Sequence, residues 1–346
     1  MGKQLNVAII GLNLGQEHYK QYSSCPEANI VALCDIDKPW LDYYANKMGF
    51  AGKTYTDYKE MLKNPDIEAV SVCVPTGMHC QFVLDCLEAG KHVLCEKPFC
   101  LNVTEAQKMH DAAQKAGKQL MVSQNRRFEP DSQALKHLCE EKFFGDIYHV
   151  RVAWRRAQGG VPGPVETREN GLPHGRNWFN ERNNGGGVLR DLGSHMIDLA
   201  MYLTDFPELE SATAHCSRHF YPFGYDPAKY VCDSEDLATG FLKFKNGMSL
   251  QLEVSFASHI EEEVVFIELY GDKAGGSKRN DTLKLFQTRH GNNSVEITKK
   301  FNEPYIAPMK RFVWAVLNGE EVPVPSSQGI KIITILDAIY ASGYGQ

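Results

Sequence analysis

At 346 residues, with 43% hydrophobic, 23% charged and 10% aromatic residues, the chain has the make-up of an ordinary globular protein long enough for two domains, not of a disordered one. Its formal charge of -6, from 37 basic and 43 acidic residues with no long basic run, argues against nucleic acid or an anionic membrane as partner. No apolar stretch approaches the roughly 20 residues that span a bilayer, and the start "MGKQLNVAIIG" is poor signal-peptide material, so a cytoplasmic protein is expected.

Along the first 125 or so residues, short β-branched runs alternate with helical patterns, which predicts a parallel sheet with crossover helices. "NVAIIG" reads as the first strand, "EHYKQYSS" as part of a helix, "ANIVALCD" as the second strand, and "KPWLDYYANKMG" as a helix stopped at Gly49. "AVSVCVP", "HVLCEKP" and "QLMVSQN" read as further strands, separated by the helical "HCQFVLDCLEAG" and "VTEAQKMHDAAQKAG". After Arg126 the rhythm changes. One helix, "DSQALKHLCEEK", leads to long alternating segments: "IYHVRVAWRR", "DLATGFLKF", "MSLQLEVSFA", "VVFIELYG" and "TLKLFQT". With a hairpin turn at Lys245, Asn246 and Gly247, these predict an antiparallel sheet. The stretch from Gly159 to Gly175 reads as a long irregular loop, and "YIAPMKRFVWAVLNG" and "GIKIITILDAIYAS" as closing helices. The ten cysteines include no C-x-x-C and sit mostly among apolar residues, as reduced, buried thiols do.

Three constellations carry chemistry. "VAIIGLNLGQEH" joins a strand to a helix through Gly11, Asn13 and Gly15, an incomplete version of the G-x-G-x-x-G turn that offers backbone N–H groups to a pyrophosphate. Gly11 would make the turn, Gly15 would allow close approach, and Asn13 would serve at the middle position either by a left-handed backbone, which Asn tolerates, or by touching the phosphates itself. Asp35, at the end of the second strand and 24 residues after Gly11, sits near the approximately 20-residue spacing of the acid that binds an adenosine ribose. Such a carboxylate repels a 2′-phosphate, so NAD is expected over NADP; by itself it is equally an acid capping the next helix.

The second constellation is "AGKHVLCEKPF". Glu96 and Lys97 read either as a solvated pair or as groups at the ligand-facing end of a parallel strand, where a lysine stabilises alkoxide character. The third is "NNGGGVLRDLGSHMIDLAMYL", in which three glycines precede a helix with Asp191 and His195 four residues apart on one face and Asp198 near it. A structural polar stripe, a metal site and an acid/base pair all fit that spacing.

In this order the motifs resemble the glucose-fructose oxidoreductase/inositol dehydrogenase (Gfo/Idh/MocA) family, over nearly the whole chain. The likeness is carried by "VAIIGLNLG", "VPTGMHCQFVLDCLEAGKHVLCEKPF", "VSQNRRFEP", "VAWRRAQGGVP" and "GGGVLRDLGSHMIDLAMYL". It implies an α/β fold: an N-terminal Rossmann domain, residues 1–126, and a C-terminal α/β domain, residues 127–346, with a large, mostly antiparallel sheet whose outer face commonly forms homo-oligomers, a dimer or higher. It implies Lys97, Asp191 and His195 as catalytic residues, with His195 taking the hydroxyl proton, Lys97 polarising the oxygen and Asp191 orienting His195 or the substrate. Pro75, Thr76 and His79 match the segment along the cofactor, and Glu96 the residue flanking the nicotinamide. Leu14, Ile36 and Asn125 join Gly11, Asn13, Gly15 and Asp35 among the expected cofactor contacts. Asn125 and Arg126, with the loop carrying Arg155, Arg156, His174 and Trp178, would line an uncharged sugar pocket.

The expected function is NAD-dependent oxidation of a secondary alcohol of a sugar, glycoside or cyclitol, most sharply at carbon 3 of a glucoside. A redox-neutral glycosidase or lyase working through a transient 3-keto intermediate is the alternative within the family. A non-catalytic sugar or dinucleotide sensor would not need Lys97, Asp191 and His195 together. No metal site is expected, because no cysteine-rich ligand cluster accompanies the histidines.

Overall fold

The computed structural model describes residues 3–157, 160–171, 173–222, 225–280, 282–289, 292–298 and 307–344. The first part runs β1 (Leu5–Ile10), α1 (Gly15–Ser23), β2 (Ala28–Cys34), α2 (Lys38–Lys47), β3 (Lys53–Tyr55), α3 (Tyr58–Leu62), β4 (Ala69–Val72), α4 (His79–Glu88), β5 (His92–Cys95), α5 (Val103–Ala116) and β6 (Leu120–Val122). Its six strands are parallel in the order β3-β2-β1-β4-β5-β6, the doubly wound arrangement. The order reverses between β1 and β4, and the crevice at their carboxyl ends is where such sheets take ligands. β4 is buried along its whole length and β1 and β5 nearly so, which explains why they read as unbroken apolar runs.

The second part runs α6 (Pro130–Glu140), β7 (Ile147–Ala157), β8 (Val165–Thr167), β9 (Pro173–Gly175), α7 (Ser194–Leu203), β10 (Leu209–Ser217), β11 (Leu237–Phe244), β12 (Ser249–Ser258), β13 (Val264–Gly271), β14 (Ala274–Arg279), β15 (Thr282–Arg289), β16 (Asn292–Thr298), α8 (Pro308–Asn318) and α9 (Ser326–Gly343). Eight strands form a sheet in the order β10-β11-β12-β7-β13-β14-β15-β16, antiparallel except for the parallel β7–β12 pair. The turn at Lys245 to Gly247 joins β11 to β12 as expected. One apolar core runs through both sheets. α9 ties them together: it packs on α5 and on β10, and the Val122 N–H just behind it donates to the Val324 carbonyl at 3.0 Å.

Two expectations need correction. Between Gly159 and Gly175 the chain is not an irregular loop, because β8 and β9 pair as an antiparallel hairpin; Gly159 itself lies outside the described residues, as do Tyr305 and Ile306 of the penultimate helix motif. The hairpin has no apolar alternation of its own and takes its shape from pairing and from contacts across the chain. The segment before α7 is not regular α-helix either: Leu189–Gly193 forms a π-turn, which inserts a residue and rotates Asp191 relative to His195. All ten cysteines are unpaired, nine of them buried. No helix among the described residues is long and apolar enough to cross a membrane.

Candidate active site

At the carboxyl ends of β1, β2 and β4 lies a cavity of ≈ 1180 Å³ whose walls include Gly11, Asn13, Asp35, Ile36 and Pro75. Three features fit it to an extended dinucleotide. Gly11 has φ +86°, and a Cβ there would stand 2.4 Å from the Cys73 carbonyl oxygen, so the turn closes on β4 only with glycine. The Asp35 carboxylate accepts from the N–H of Leu12 at 2.8 Å and of Asp37 at 2.9 Å, leaving a lone pair on each oxygen for ribose hydroxyls. Ile36 is 91% exposed at the cavity edge, an apolar surface for a flat ring. Leu14 also lines the cavity, whereas Gly15 lies behind it, where a Cβ would stand 2.8 Å from Ile9 Cγ2. Asn13 is not left-handed. Its side-chain oxygen instead accepts from the Arg168 Nε–H on the β8–β9 hairpin at 3.2 Å, and its amide nitrogen lies against His174 Nε2.

Asp35 should therefore decide the cofactor. Asp35→Ser removes charge-assisted hydrogen bonds worth about 1.5–3 kcal/mol, and the NAD-to-NADP ratio of kcat/KM is expected to fall at least about tenfold. An unchanged ratio in steady-state kinetics would sink that role.

The three residues expected to handle the proton meet at the end of β5. Lys97 Nζ lies 2.7 Å from Asp191 Oδ1 and donates also to the Asp191 carbonyl at 3.2 Å. Asp191 thus holds the lysine and not His195, a correction that follows from the π-turn. His195 packs on Trp154, 5.9 Å between ring centroids, and its buried Nδ1 has no hydrogen-bond partner among the described residues. Burial, then the charges of Lys97, Arg126 and Arg156, hold its pKa well below the ordinary histidine value, so the imidazole is neutral. Arg126 covers the Trp154 ring at 4.1 Å, and the indole N–H donates to Glu263 at 2.9 Å. The pocket is accordingly not uncharged, as two arginines and a lysine act on one histidine.

The glycine triplet brings this helix down. A Cβ on Gly187, at φ +108°, would stand 2.3 Å from Glu235 Oε1, whose carboxylate accepts from the Leu189 N–H at 2.9 Å and so caps the segment. Glu96 sits beneath Lys97. Its carboxylate accepts from the Lys97 N–H at 3.1 Å and lies 2.8 Å from His18 Nε2. Burial pushes that carboxyl up, but His18, Lys97 and Ser123 outweigh it and hold it below its usual value.

Other expected residues serve elsewhere. His79 is buried, its ring nitrogens 2.8 Å from the Val74 carbonyl and 2.9 Å from the Pro98 carbonyl, and it braces the strand ends instead of facing a ligand. Thr76 is buried beneath Gly185 and does not line the cavity. Arg155 points to the far side of the sheet from Trp154 and Arg156 and meets Glu253 at 3.4 Å, as strand alternation dictates. His174 stands against Asn13 in the wall of the large cavity, and Trp178 lines the same cavity. Asn125 is exposed at the start of a 3₁₀ turn. Asp198 belongs to the fold: its carboxylate takes both Arg127 Nε–H at 2.7 Å and Nη2–H at 2.5 Å, with both side chains buried. The sequence reading missed Trp154, His18, Asp37 and Arg168. Only Trp154 had a signal, sharing a strand face with Arg156.

A family model described as an oxidoreductase family with an NAD-binding Rossmann fold matches residues 5–124, and one for the GFO/IDH/MocA C-terminal domain matches residues 132–275. D-glucoside 3-dehydrogenase of Escherichia coli K12 is 33% identical over 356 residues, covering 98% of this chain and 95% of the relative. Myo-inositol 2-dehydrogenase of Thermotoga maritima is 26% identical over 332 residues, covering 94% and 92%. A levoglucosan dehydrogenase solved in complex with NADH shares the fold at TM-score 0.85 and 22% identity, covering 99% of this chain and 97% of the other.

Proposed function

The chain belongs to the GFO/IDH/MocA oxidoreductase family, and from that premise we propose that it oxidises carbon 3 of a glucoside to the ketone. It is an NAD-dependent dehydrogenase acting on a secondary alcohol of a sugar, glycoside or cyclitol. The observation that carries the chemistry is the Lys97–Asp191 pair at 2.7 Å beside a neutral His195. Gly11, Asn13, Leu14, Asp35 and Ile36 would hold the dinucleotide. NAD, when bound, supplies the acceptor for the hydride that leaves the carbinol carbon. His195 takes the hydroxyl proton, for which its neutral ring is the competent form. Lys97 donates to the same oxygen as negative charge develops there, and Asp191 keeps the ammonium placed and charged. Arg126 and Arg156 add positive potential that favours the alkoxide and disfavours an imidazolium before the proton moves.

The similarity to a glucoside 3-dehydrogenase along 98% of the chain supports carbon 3. The test is a screen of glucosides, free sugars and inositols followed by NADH formation, with the product identified by mass and NMR. A 3-keto-glucoside formed with stoichiometric NADH is expected. Aglycone release without net NADH would reassign the protein to the redox-neutral reaction, and oxidation of an inositol alone would overturn the glucoside reading. The outer face of the eight-stranded sheet, with Phe241, Phe286 and Val295 exposed, is where we place contact with a second copy; light scattering on the same preparation is expected to give at least a dimer.

A further inference from the structure

Among the described residues, the cavity walls carry five carboxylates against two arginines, Arg168 and Arg176. A dinucleotide adds two negative charges at its pyrophosphate, yet Gly11 to Gly15, the turn that faces it, contains no cation and lacks the third glycine of the usual fingerprint. Arg176 is committed to Glu166 at 2.7 Å. Arg168 is placed differently. From the loop after β8 it crosses to the first domain, where Nη1–H donates to Asp37 at 2.5 Å and Nε–H to Asn13 Oδ1 at 3.2 Å. Nη2 lies 2.9 Å from His174 Nδ1, and the guanidinium stacks 4.7 Å from the Trp40 ring centroid with its side chain 6% exposed.

This places a buried guanidinium between the two landmarks of the cleft. Asp37 is two residues past the ribose carboxylate Asp35, and Asn13 is in the pyrophosphate turn. Of the five guanidinium N–H groups, three are used by these contacts, and each terminal nitrogen keeps one. Arginine held at one edge by a carboxylate keeps its charge and still presents a fork suited to phosphate oxygens.

We propose that Arg168 is the pyrophosphate-binding cation of this enzyme, delivered by the β8–β9 hairpin of the second half onto the Gly11–Gly15 turn of the first. With Asn13 it takes over the anion binding that the absent glycine would have assisted. The cofactor is then gripped by both halves of the chain, and the ion pair of Lys47 with Glu169 holds the hairpin down beside it. This rests on the reading of the cavity as the dinucleotide cleft.

The test is binding of NADH, ADP-ribose, AMP and adenosine to the full-length wild-type protein, Arg168→Gln and Arg168→Lys, by NADH fluorescence and by calorimetry, with melting temperature as the check on folding. Losing charge-assisted hydrogen bonds of about 1.5–3 kcal/mol corresponds to about 10- to 150-fold weaker binding of NADH and ADP-ribose by Arg168→Gln. Arg168→Lys is expected to fall between, adenosine to bind all three alike, and the salt dependence of NADH binding to flatten in Arg168→Gln. Wild-type affinity for NADH in Arg168→Gln would overturn the proposal. So would equal weakening of adenosine, which would make Arg168 a hairpin anchor only, or a larger loss for NADPH than for NADH, which would assign it to a 2′-phosphate. Wild-type protein that binds no NADH fails earlier, at the reading of the cleft, and takes the proposal with it.

Discussion

His195→Asn and Lys97→Ala are each expected to lower kcat by about 10²- to 10⁴-fold, the usual contribution of a positioned proton-transfer group, while NADH still binds. The expectation follows from the geometry: Lys97 is held by Asp191 at 2.7 Å, and His195 has no carboxylate partner to raise its basicity. The pH profile adds an independent check. As the proposed base, His195 would work in its neutral form above its pKa, and burial with three nearby cations holds that pKa well below 6.5. The acid limb of kcat/KM for alcohol oxidation is therefore expected below pH 6.5, with activity retained as the pH falls through that value. Lys97→Ala removes one of the cations, so the limb of its residual activity should move upward. A limb above pH 6.5 in the wild-type protein, or full turnover in either variant, would rule out these roles.

Asp198→Ala is expected to destabilise the fold by about 3–5 kcal/mol, because it leaves the Arg127 guanidinium buried without its counter-charge. That is a large share of the roughly 5–15 kcal/mol that separates folded from unfolded proteins. Urea unfolding measures it as a lower midpoint at unchanged slope. Replacing both partners with apolar residues, Arg127→Met with Asp198→Leu, should recover most of the loss, since neither then buries a lone charge. A cost below about 1 kcal/mol for Asp198→Ala would show that water reaches Arg127, against the 2% and 1% side-chain exposure of the pair. The pair also separates two aspartates that look alike in sequence. Asp191 and Asp198 flank His195 on one segment, yet one serves Lys97 and the other the core.

Much of the fold was legible because it is written in local period. β1, β4 and β5 are buried parallel strands and read as apolar runs, and α5 shows its helical pattern. β14, "AGGSKR", could not be read so. It is a strand through pairing with β13 and β15, and its Lys278 is buried only because Glu129 and Asp131 meet it there. β8 and β9 were lost among prolines and glycines for the same reason.

The site divides along a similar line. Gly11, Asp35, Lys97 and His195 could be named as candidates from sequence, since each stands at a strand end or on a helix whose place is set by chain order. What only the tertiary structure decided was partnership across long separations. The π-turn gave Asp191 to Lys97, 94 residues away, and strand alternation sent Arg155 out of the pocket. Asn13, weighed for a left-handed backbone or a phosphate contact, meets through its side chain a hairpin 155 residues farther along. Local propensity constrains a few neighbouring residues at a time, whereas the packing of the two sheets on one core brings those side chains together.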